Sequence, residues 1–277
     1  TWGKRMNPIL LDERLSAAAG LAREALAGGE RPVAADIGCD HGCLTAKLLE
    51  TVPDLTMLAS DVSAPSLEKA RRLLAARGLS ERAKLTVADG LSAIDRPVNA
   101  VMILGMGAGT ILKIVSEGRN KIGGAALIVQ ANVDLPLLRG GLAELGFTIQ
   151  NEIYCRAAGR HYVTMLARAG EAEAPDERHL MLGACADGAQ NDEQYDYLAW
   201  QRGVRVREML SQAGTDTPRA KERLFAGGHE LSIIAEAIGM NKCTVSDVEK
   251  MVGEIAPFEL AEEWDNVGLL FGRRDAE

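Results

Sequence analysis

The 277-residue sequence predicts an α/β fold: an open, mostly parallel sheet wound by helices, with a helical region after it. Three observations carry this. Between Val33 and Gln130, five short apolar runs alternate with segments of helical spacing, and four of the runs end in an acid or a glycine. Phe147–Tyr154 then alternates as a strand, and Tyr162–Ala167 follows after a short turn around Ala158-Gly159. So short a link joins antiparallel neighbours, not parallel ones. From about Arg178 the apolar residues return to helical spacing.

The elements follow in order. Residues 1–13 read as a lead-in. Leu11, Leu15, Ala18, Ala19 and Leu26 give Leu10–Leu26 a helical stripe, closed by Gly28-Gly29. Strand one is Val33–Ile37, with a helix over Leu44–Glu50. Strand two is Thr56–Ser60, ending in Asp61, with a helix over Pro65–Leu79. Strand three is Lys84–Ala88, ending in Asp89-Gly90. Strand four, Asn99–Leu104, is nearly all apolar, as a central parallel strand should be. It ends in Gly105-Met106-Gly107-Ala108-Gly109, ahead of a helix over Thr110–Glu117. Strand five, Ala125–Gln130, ends in Gln130-Ala131-Asn132 and leads to a helix over Leu135–Leu145 that Gly146 closes. After the hairpin, Gly170–Pro175 is a polar linker. Arg178–Gln212 reads as helix, with Thr217–Leu224 and Leu231–Ile238 as two further helical pieces. The domains predicted are 1–170, 176–239 and a tail, 240–277.

The chemistry centres on Asp36-Ile37-Gly38-Cys39-Asp40-His41-Gly42, where strand one gives way to a helix. In open parallel sheets, ligands bind outside the carboxyl ends of the strands. A dinucleotide fingerprint would be G-x-G-x-x-G. Here Asp40 stands at the middle glycine and would repel a pyrophosphate. The string therefore fits an adenosyl ligand without phosphates, although an ordinary βα turn also contains a strand, a glycine and a helix. S-adenosylmethionine (SAM) is the natural candidate, because its amino group and sulfonium are cationic. Asp61 lies 25 residues beyond Asp36, about where nucleoside-binding units place the acid that takes both ribose hydroxyls. Asp89 is placed to accept the adenine amino group. A parallel sheet closed by an antiparallel hairpin is the layout of Rossmann-like class I SAM methyltransferases.

Composition narrows the class. Hydrophobic residues make up 47% and charged residues 25%, and no apolar run reaches the length of a bilayer span. The five cysteines form no paired framework and no leader is read at the start, so a cytoplasmic protein is expected. Cys39, His41 and Cys43 share one tight loop without a further C-x-x-C pair, so no metal site is predicted. A net charge of −8 argues against broad, non-specific nucleic-acid binding. Nine acids and four bases fall in residues 240–277, which leaves the rest of the chain close to neutral. Arg202, Arg205, Arg207, Arg219, Lys221 and Arg223 outnumber Asp196, Glu208, Asp216 and Glu222. This surplus reads either as a solvated helical face or as phosphate contacts.

Residues 10–168 resemble the bacterial tRNA (adenine-22-N1)-methyltransferase (TrmK) family. The resemblance rests on Leu11–Leu15, Ala35-Asp36-Ile37-Gly38-x-Asp40-His41 and Asp89-Gly90-Leu91. It continues in Gly105-Met106-Gly107, Leu127-Ile-Val-Gln130-x-Asn132 and Gly159-x-x-Tyr162. Ala108 and Ala131 stand where the family usually has Gly and Pro. Residues 176–239 resemble the family's coiled-coil-like domain more loosely. The resemblance implies SAM as cofactor and a tRNA D-arm adenosine as substrate. It assigns cofactor binding to Asp36, Gly38, Asp40, His41, Asp61, Val62, Asp89, Gly90, Gly105, Met106 and Gly107. It assigns substrate binding to Arg14, Asn132, Arg160 and Tyr162. Arg14 also reads as a plain helix arginine. Asp40 is the candidate catalytic residue, either holding the SAM amino group or removing a proton after transfer. Cys39 is not assigned the role of methyl carrier. A non-catalytic nucleoside- or RNA-binding module, and a SAM methyltransferase acting on another substrate, stand as alternatives.

The tail resembles the opening of a Nif3-like dinuclear-metal protein, chiefly through Ile255-Ala-Pro-Phe-Glu-Leu-Ala-Glu-Glu-Trp264-Asp-Asn-Val-Gly-Leu-Leu270. That family's histidine ligands lie beyond such an opening. The expectation is a methyltransferase joined to a truncated second protein, by natural fusion or by a gene-boundary artefact. Ile234 to Val248 also has helix-turn-helix spacing around Gly239, but its second helix would be acidic at Asp247 and Glu249, against DNA binding.

Overall fold

The computed structural model describes residues 8–239 except Ala172, Ala213, Gly214 and Asp216. The chain divides between Met181 and Leu182 into two compact units. The Nif3-like resemblance and the second half of the helix-turn-helix pattern lie outside the described residues.

The first unit runs α1 (Glu13–Leu26), β1 (Val33–Ile37), α2 (Cys43–Thr51), β2 (Thr56–Asp61), α3 (Ala64–Ala76), β3 (Ala83–Val87), β4 (Ala100–Met106), α4 (Ala108–Glu117), α5 (Arg119–Ile122), β5 (Ala126–Ala131), α6 (Leu135–Glu144), β6 (Phe147–Ala157) and β7 (Arg160–Ala169). A short α7 (Glu177–Leu182) follows, its last residue falling past the division. The seven strands form one sheet in the order β3-β2-β1-β4-β5-β7-β6. Strands β1 to β5 are parallel, and β7 runs antiparallel to both β5 and β6. The expected parallel sheet with a terminal antiparallel hairpin is what forms.

Side chains alternate across each strand. Ala34, Met57, Ala100, Met102, Ala126 and Ile128 share one apolar core with Ala18, Leu21 and Ala22 of α1 and Leu44 and Leu48 of α2. The intervening positions Ala35, Leu58, Val101, Ile103, Leu127 and Val129 are equally buried. A sheet covered on both faces requires such near-continuous apolar strands. Asp12 caps α1, its carboxylate accepting the Leu15 N–H at 2.8 Å, and Ser63 caps α3. The strand order reverses direction between β1 and β4, and open sheets of this kind bind ligands at the carboxyl ends of the strands beside such a switch point.

Several boundaries differ from those expected. β4 continues to Met106 through an irregularity between Leu104 and Met106, so Gly105 and Met106 belong to the strand rather than to the loop after it. The hairpin strands are longer, because Ala158 (φ 48°) and Gly159 (φ 77°) alone make the turn. The helix expected over Pro65–Leu79 stops at Ala76, and Gly78 turns left-handed behind it.

The second unit contains α8 (Asp192–Gln212) and α9 (Pro218–Ala237). Residues 178–212 do not form one helix: left-handed Gly183 (φ 57°) and Gly188 (φ 105°) interrupt it before Asp192. Conversely, Thr217–Leu224 and Leu231–Ile238 are parts of one helix, running through Gly227-Gly228. Gly227 is there for packing. A Cβ on it would lie 2.8 Å from Met209 Cγ on α8. Arg205 pairs with Glu208 on its own helix and with Glu230 on α9.

Candidate functional site

The loop between β1 and α2 is built from left-handed residues. Gly38 and Gly42 both have φ 73°, and Asp40 has φ 45°. Glycine reaches this region without strain, and Asp tolerates it better than most residues. A Cβ on Gly38 would also fall 2.5 Å from Met106 Cε. The loop is tied to β2 by backbone bonds from Gly38 N and Cys39 N to Ser60 O, at 2.8 and 2.9 Å. Gly38 therefore brings the tip of β1 against the tip of β4 while the adjoining peptides hold it to β2.

Asp61 ends β2 with both carboxylate oxygens engaged: Oδ2 accepts the Asp40 N–H at 3.0 Å and Oδ1 the Ser63 N–H at 2.8 Å. Each oxygen keeps a further lone pair, the acceptor set a ribose diol needs. The next residue, Val62, is 69% exposed, an apolar surface suited to the face of a purine. Asp89 is exposed and stands at the start of a 3-10 turn, Gly90–Ala93. Lys121 holds that turn from below, donating to Leu91 O, Ser92 O and Ile94 O at 3.1, 3.1 and 3.2 Å.

Asp36 differs from these exposed acids. It is 3% exposed and accepts the Thr45 hydroxyl at 2.6 Å. Burial raises its carboxyl from 3.8 to about 6 against the opposing Thr45 bond, with the Asp61 charge adding to the rise. Burial, together with the Asp36 and Asp61 charges, also drives the Cys39 thiol well above its ordinary range, leaving no thiolate to act as a nucleophile. Asp40 is exposed, accepts from Ser66 Oγ at 3.1 Å and lies 3.5 Å from His41 Nε2. Lys69 Nζ is 2.9 Å from the same Nε2. An ammonium has no acceptor, so Nε2 accepts and His41 carries its hydrogen on Nδ1.

A second polar group crosses the ends of β4 and β5. Gln130 is 0% exposed, and its Oε1 accepts both the Gly105 N–H at 3.1 Å and Arg14 Nη1 at 3.2 Å. Its Nε2 donates to Asn132 Oδ1 at 3.2 Å, and Asn132 Nδ2 donates to Gly105 O at 2.8 Å. The Arg14 guanidinium lies 5.7 Å from the centre of the Tyr162 ring. Arg14, Asn132 and Tyr162, expected at the substrate, and Gly105, expected at the cofactor, are thus brought together by the structure. Arg160 stands exposed beside the hairpin turn. Gln130, Thr45, Ser66, Lys69 and Lys121 were given no role from the sequence. Gln130 had a usable signal, since a buried amide in a central apolar strand must find partners.

The cysteine and histidine of the first loop diverge, Cys39 inward and His41 toward Lys69. Among the described residues no helix is long and apolar enough to cross a membrane.

Known proteins resemble the chain over most of its length. The chain is 25% identical over 242 residues to the tRNA (adenine(22)-N(1))-methyltransferase of Bacillus subtilis (strain 168), spanning 84% of this chain and 99% of that one. The crystal structure of the B. subtilis M1A22 tRNA methyltransferase TrmK superposes with a TM-score of 0.70 at 22% identity, over 83% of this chain and 99% of that one. A Streptococcus pneumoniae protein solved in complex with S-adenosyl-L-methionine superposes with a TM-score of 0.69 at 23% identity, over 83% and 100% of the two chains. The methyltransferase domain model matches residues 11–165, more than half of the chain and every strand tip described above; the chain belongs to the methyltransferase domain family.

Proposed function

We propose that the protein transfers a methyl group from SAM to N1 of the adenosine at position 22, in the D-arm of tRNA. The observation that supports this is that acids and glycines stand at the carboxyl tips of the neighbouring strands β1, β2, β3 and β4, with the hydrogen-bonded Arg14–Gln130–Asn132 group beside them at the ends of β4 and β5. The full-length relative from B. subtilis supports the substrate.

The residues present fit the cofactor. Asp61 would take the ribose hydroxyls, Val62 and Asp89-Gly90 the adenine, and Gly38 with Gly105-Met106-Gly107 would give the backbone clearance for the methionine end. Asp36 and Asp40 would face its cationic groups, with His41 beside them. When bound, SAM supplies an electrophilic methyl on a sulfonium. Adenine N1 carries no hydrogen, so its lone pair forms the new N–C bond while the S–C electrons return to sulfur. No proton has to leave, and positive charge passes from sulfur to the base. We therefore assign Asp40 to cofactor binding and charge stabilisation rather than to proton removal. N1 lies on the Watson–Crick edge, so the base must be unpaired or extruded before it reacts. Arg14, Asn132, Arg160 and Tyr162 would receive it, and positioning is then the protein's main contribution.

The basic side chains of α8 and α9 would contact tRNA phosphates. The cytoplasm, where tRNA is modified, is the expected location. We read residues 240–277 as the Nif3-like opening segment on sequence grounds.

The test is transfer of labelled methyl from SAM to an unmodified tRNA transcript, with the product mapped by reverse-transcription arrest. Label at adenosine 22 is expected. SAM binding without transfer favours the non-catalytic module, and label at another position or only on another substrate overturns the assignment.

A further inference from the structure

We infer that the exposed face of α3, through Lys69 and, one turn on, Arg72, is a contact surface for tRNA phosphates beside the target nucleoside. The inference rests on tRNA being the substrate.

Two side chains a turn apart join α3 to the loop after β1. Ser66 Oγ donates to Asp40 Oδ1 at 3.1 Å, and Lys69 Nζ lies 2.9 Å from His41 Nε2. Lys69 is exposed, and among the described residues no carboxylate pairs with it. One of its hydrogens goes to a neutral ring nitrogen and two are left for another acceptor. Arg71 and Arg72 share a single carboxylate, that of Glu68, at 3.5 and 3.0 Å, with their side chains 62% and 78% exposed. α3 thus carries three bases against one acid. Lys69 and Arg72 are three residues apart, so they stand on one face of the helix.

An ordinary solvated helix sets its bases against acids three or four residues away, as Lys113 meets Glu117 on α4. Lys69 has Pro65, Ser66, Arg72 and Leu73 at those positions, so its charge is unmatched along its own helix. The strand tips need such a charge. Asp40, Asp61 and Asp89 suit a cationic cofactor, but they repel a polyanion that has to bring a base to the same place. Charges are screened over about 8 Å at cellular salt, so only cations close to those acids offset the repulsion. Lys69 meets that condition through His41, the residue after Asp40. Arg72 continues the surface away from the acids, along the direction in which a phosphate backbone would run.

The experiment measures binding of an unmodified tRNA transcript to the full-length protein by fluorescence anisotropy over a range of salt concentrations, with SAM affinity measured by calorimetry. The slope of log K against log salt is expected to become shallower by roughly one in Lys69→Ala and by roughly two in Lys69→Ala with Arg72→Ala. The Kd for SAM, and kcat at saturating tRNA, are expected to stay within about twofold while kcat/KM for tRNA falls severalfold. Lys69→Arg keeps the charge and is expected to keep the slope. Arg96→Ala removes an exposed base ahead of the amino end of β4, at the opposite end of the strands, and is expected to leave the slope unchanged. Unchanged slopes in both α3 variants overturn the assignment. So does a raised Kd for SAM with the tRNA slope unchanged, which gives Lys69 to the SAM carboxylate instead. An equal loss of slope in Arg96→Ala overturns it too, because the effect then follows net charge and not this surface. Wild-type protein that neither binds nor methylates tRNA fails the proposed function itself, so the two failures are told apart.

Discussion

Arg139 on α6 and Glu152 on β6 form a doubly hydrogen-bonded ion pair, Nε to Oε1 at 2.8 Å and Nη2 to Oε2 at 3.2 Å, with both side chains 2% exposed. Arg139 Nη1 also donates to Leu180 O and Met181 O, at 2.8 and 3.0 Å, and the Tyr154 hydroxyl donates to Glu152 Oε2. One guanidinium thus joins α6, the last strand of the sheet and the segment at α7. A buried pair adds little net stability over an apolar replacement, but breaking it strands a charge. Arg139→Met is expected to destabilise the fold by about 3–5 kcal/mol, and Arg139→Met with Glu152→Leu to recover much of that loss. Urea unfolding of the single and double variants checks this; equal losses in both would show that the network's worth lies in its other bonds.

The buried Asp36 carboxyl makes stability depend on pH in a direction opposite to that of a salt-bridged acid. Its folded value, about 6, is above its ordinary 3.8, so the folded state binds more protons than the unfolded state between the two. Its contribution therefore declines as pH rises from 3.8 to 6, by about 3 kcal/mol in total. Asp36→Asn keeps an acceptor for Thr45 and does not titrate. The stability difference between variant and wild type is expected to move about 3 kcal/mol in the variant's favour between pH 3.5 and pH 7, whatever constant offset the buried amide adds. Unfolding midpoints at those two pH values measure it, and a pH-independent difference would contradict the assignment.

Asp61 does two jobs at the strand tips, pinning Asp40 N and Ser63 N while presenting its remaining lone pairs. Asp61→Ala removes both, whereas Asp89→Ala removes one exposed acceptor. SAM affinity by calorimetry is expected to fall at least roughly 100-fold in the first and only severalfold in the second. Unchanged affinity in Asp61→Ala would refute the map of the cofactor site.

Much of this arrangement could be read before the fold was known, for physical reasons that also explain the misses. β1 to β5 were legible because a doubly covered parallel strand must be apolar along its length, as Val101 to Ile103 and Leu127 to Val129 are. The tips carrying Asp36, Asp61 and Asp89 followed from where those runs stop. The hairpin was read short because Ala158 takes a left-handed turn position that its side chain does not advertise. α9 was read as two pieces, Thr217–Leu224 and Leu231–Ile238, because sequence alone does not show that Gly227 between them packs against Met209 inside one helix. Gln130 and Arg139 were passed over for a shared reason. Each is a polar side chain buried in an apolar element, and what justifies it comes from residues distant in sequence, Arg14 for one and Glu152 for the other.

Lys121 extends the cofactor site to a residue outside it. Its ammonium has three hydrogens and gives them to the carbonyls of Leu91, Ser92 and Ile94. These carbonyls belong to the turn that follows Asp89-Gly90, so the position of Asp89 depends on a side chain from α5. Lys121→Met keeps the aliphatic stem and removes the donors, leaving the carbonyls to water and the turn free to shift. The expected outcome is a loss of about 1 kcal/mol in stability and a severalfold rise in the Kd for SAM, with turnover at saturating SAM nearly intact. Lys121→Arg, which restores charge-assisted donors, should recover part of the affinity. If Lys121→Met lowers stability while SAM binds as before, the turn holds its place without the lysine, and Asp89 is positioned by β3 alone.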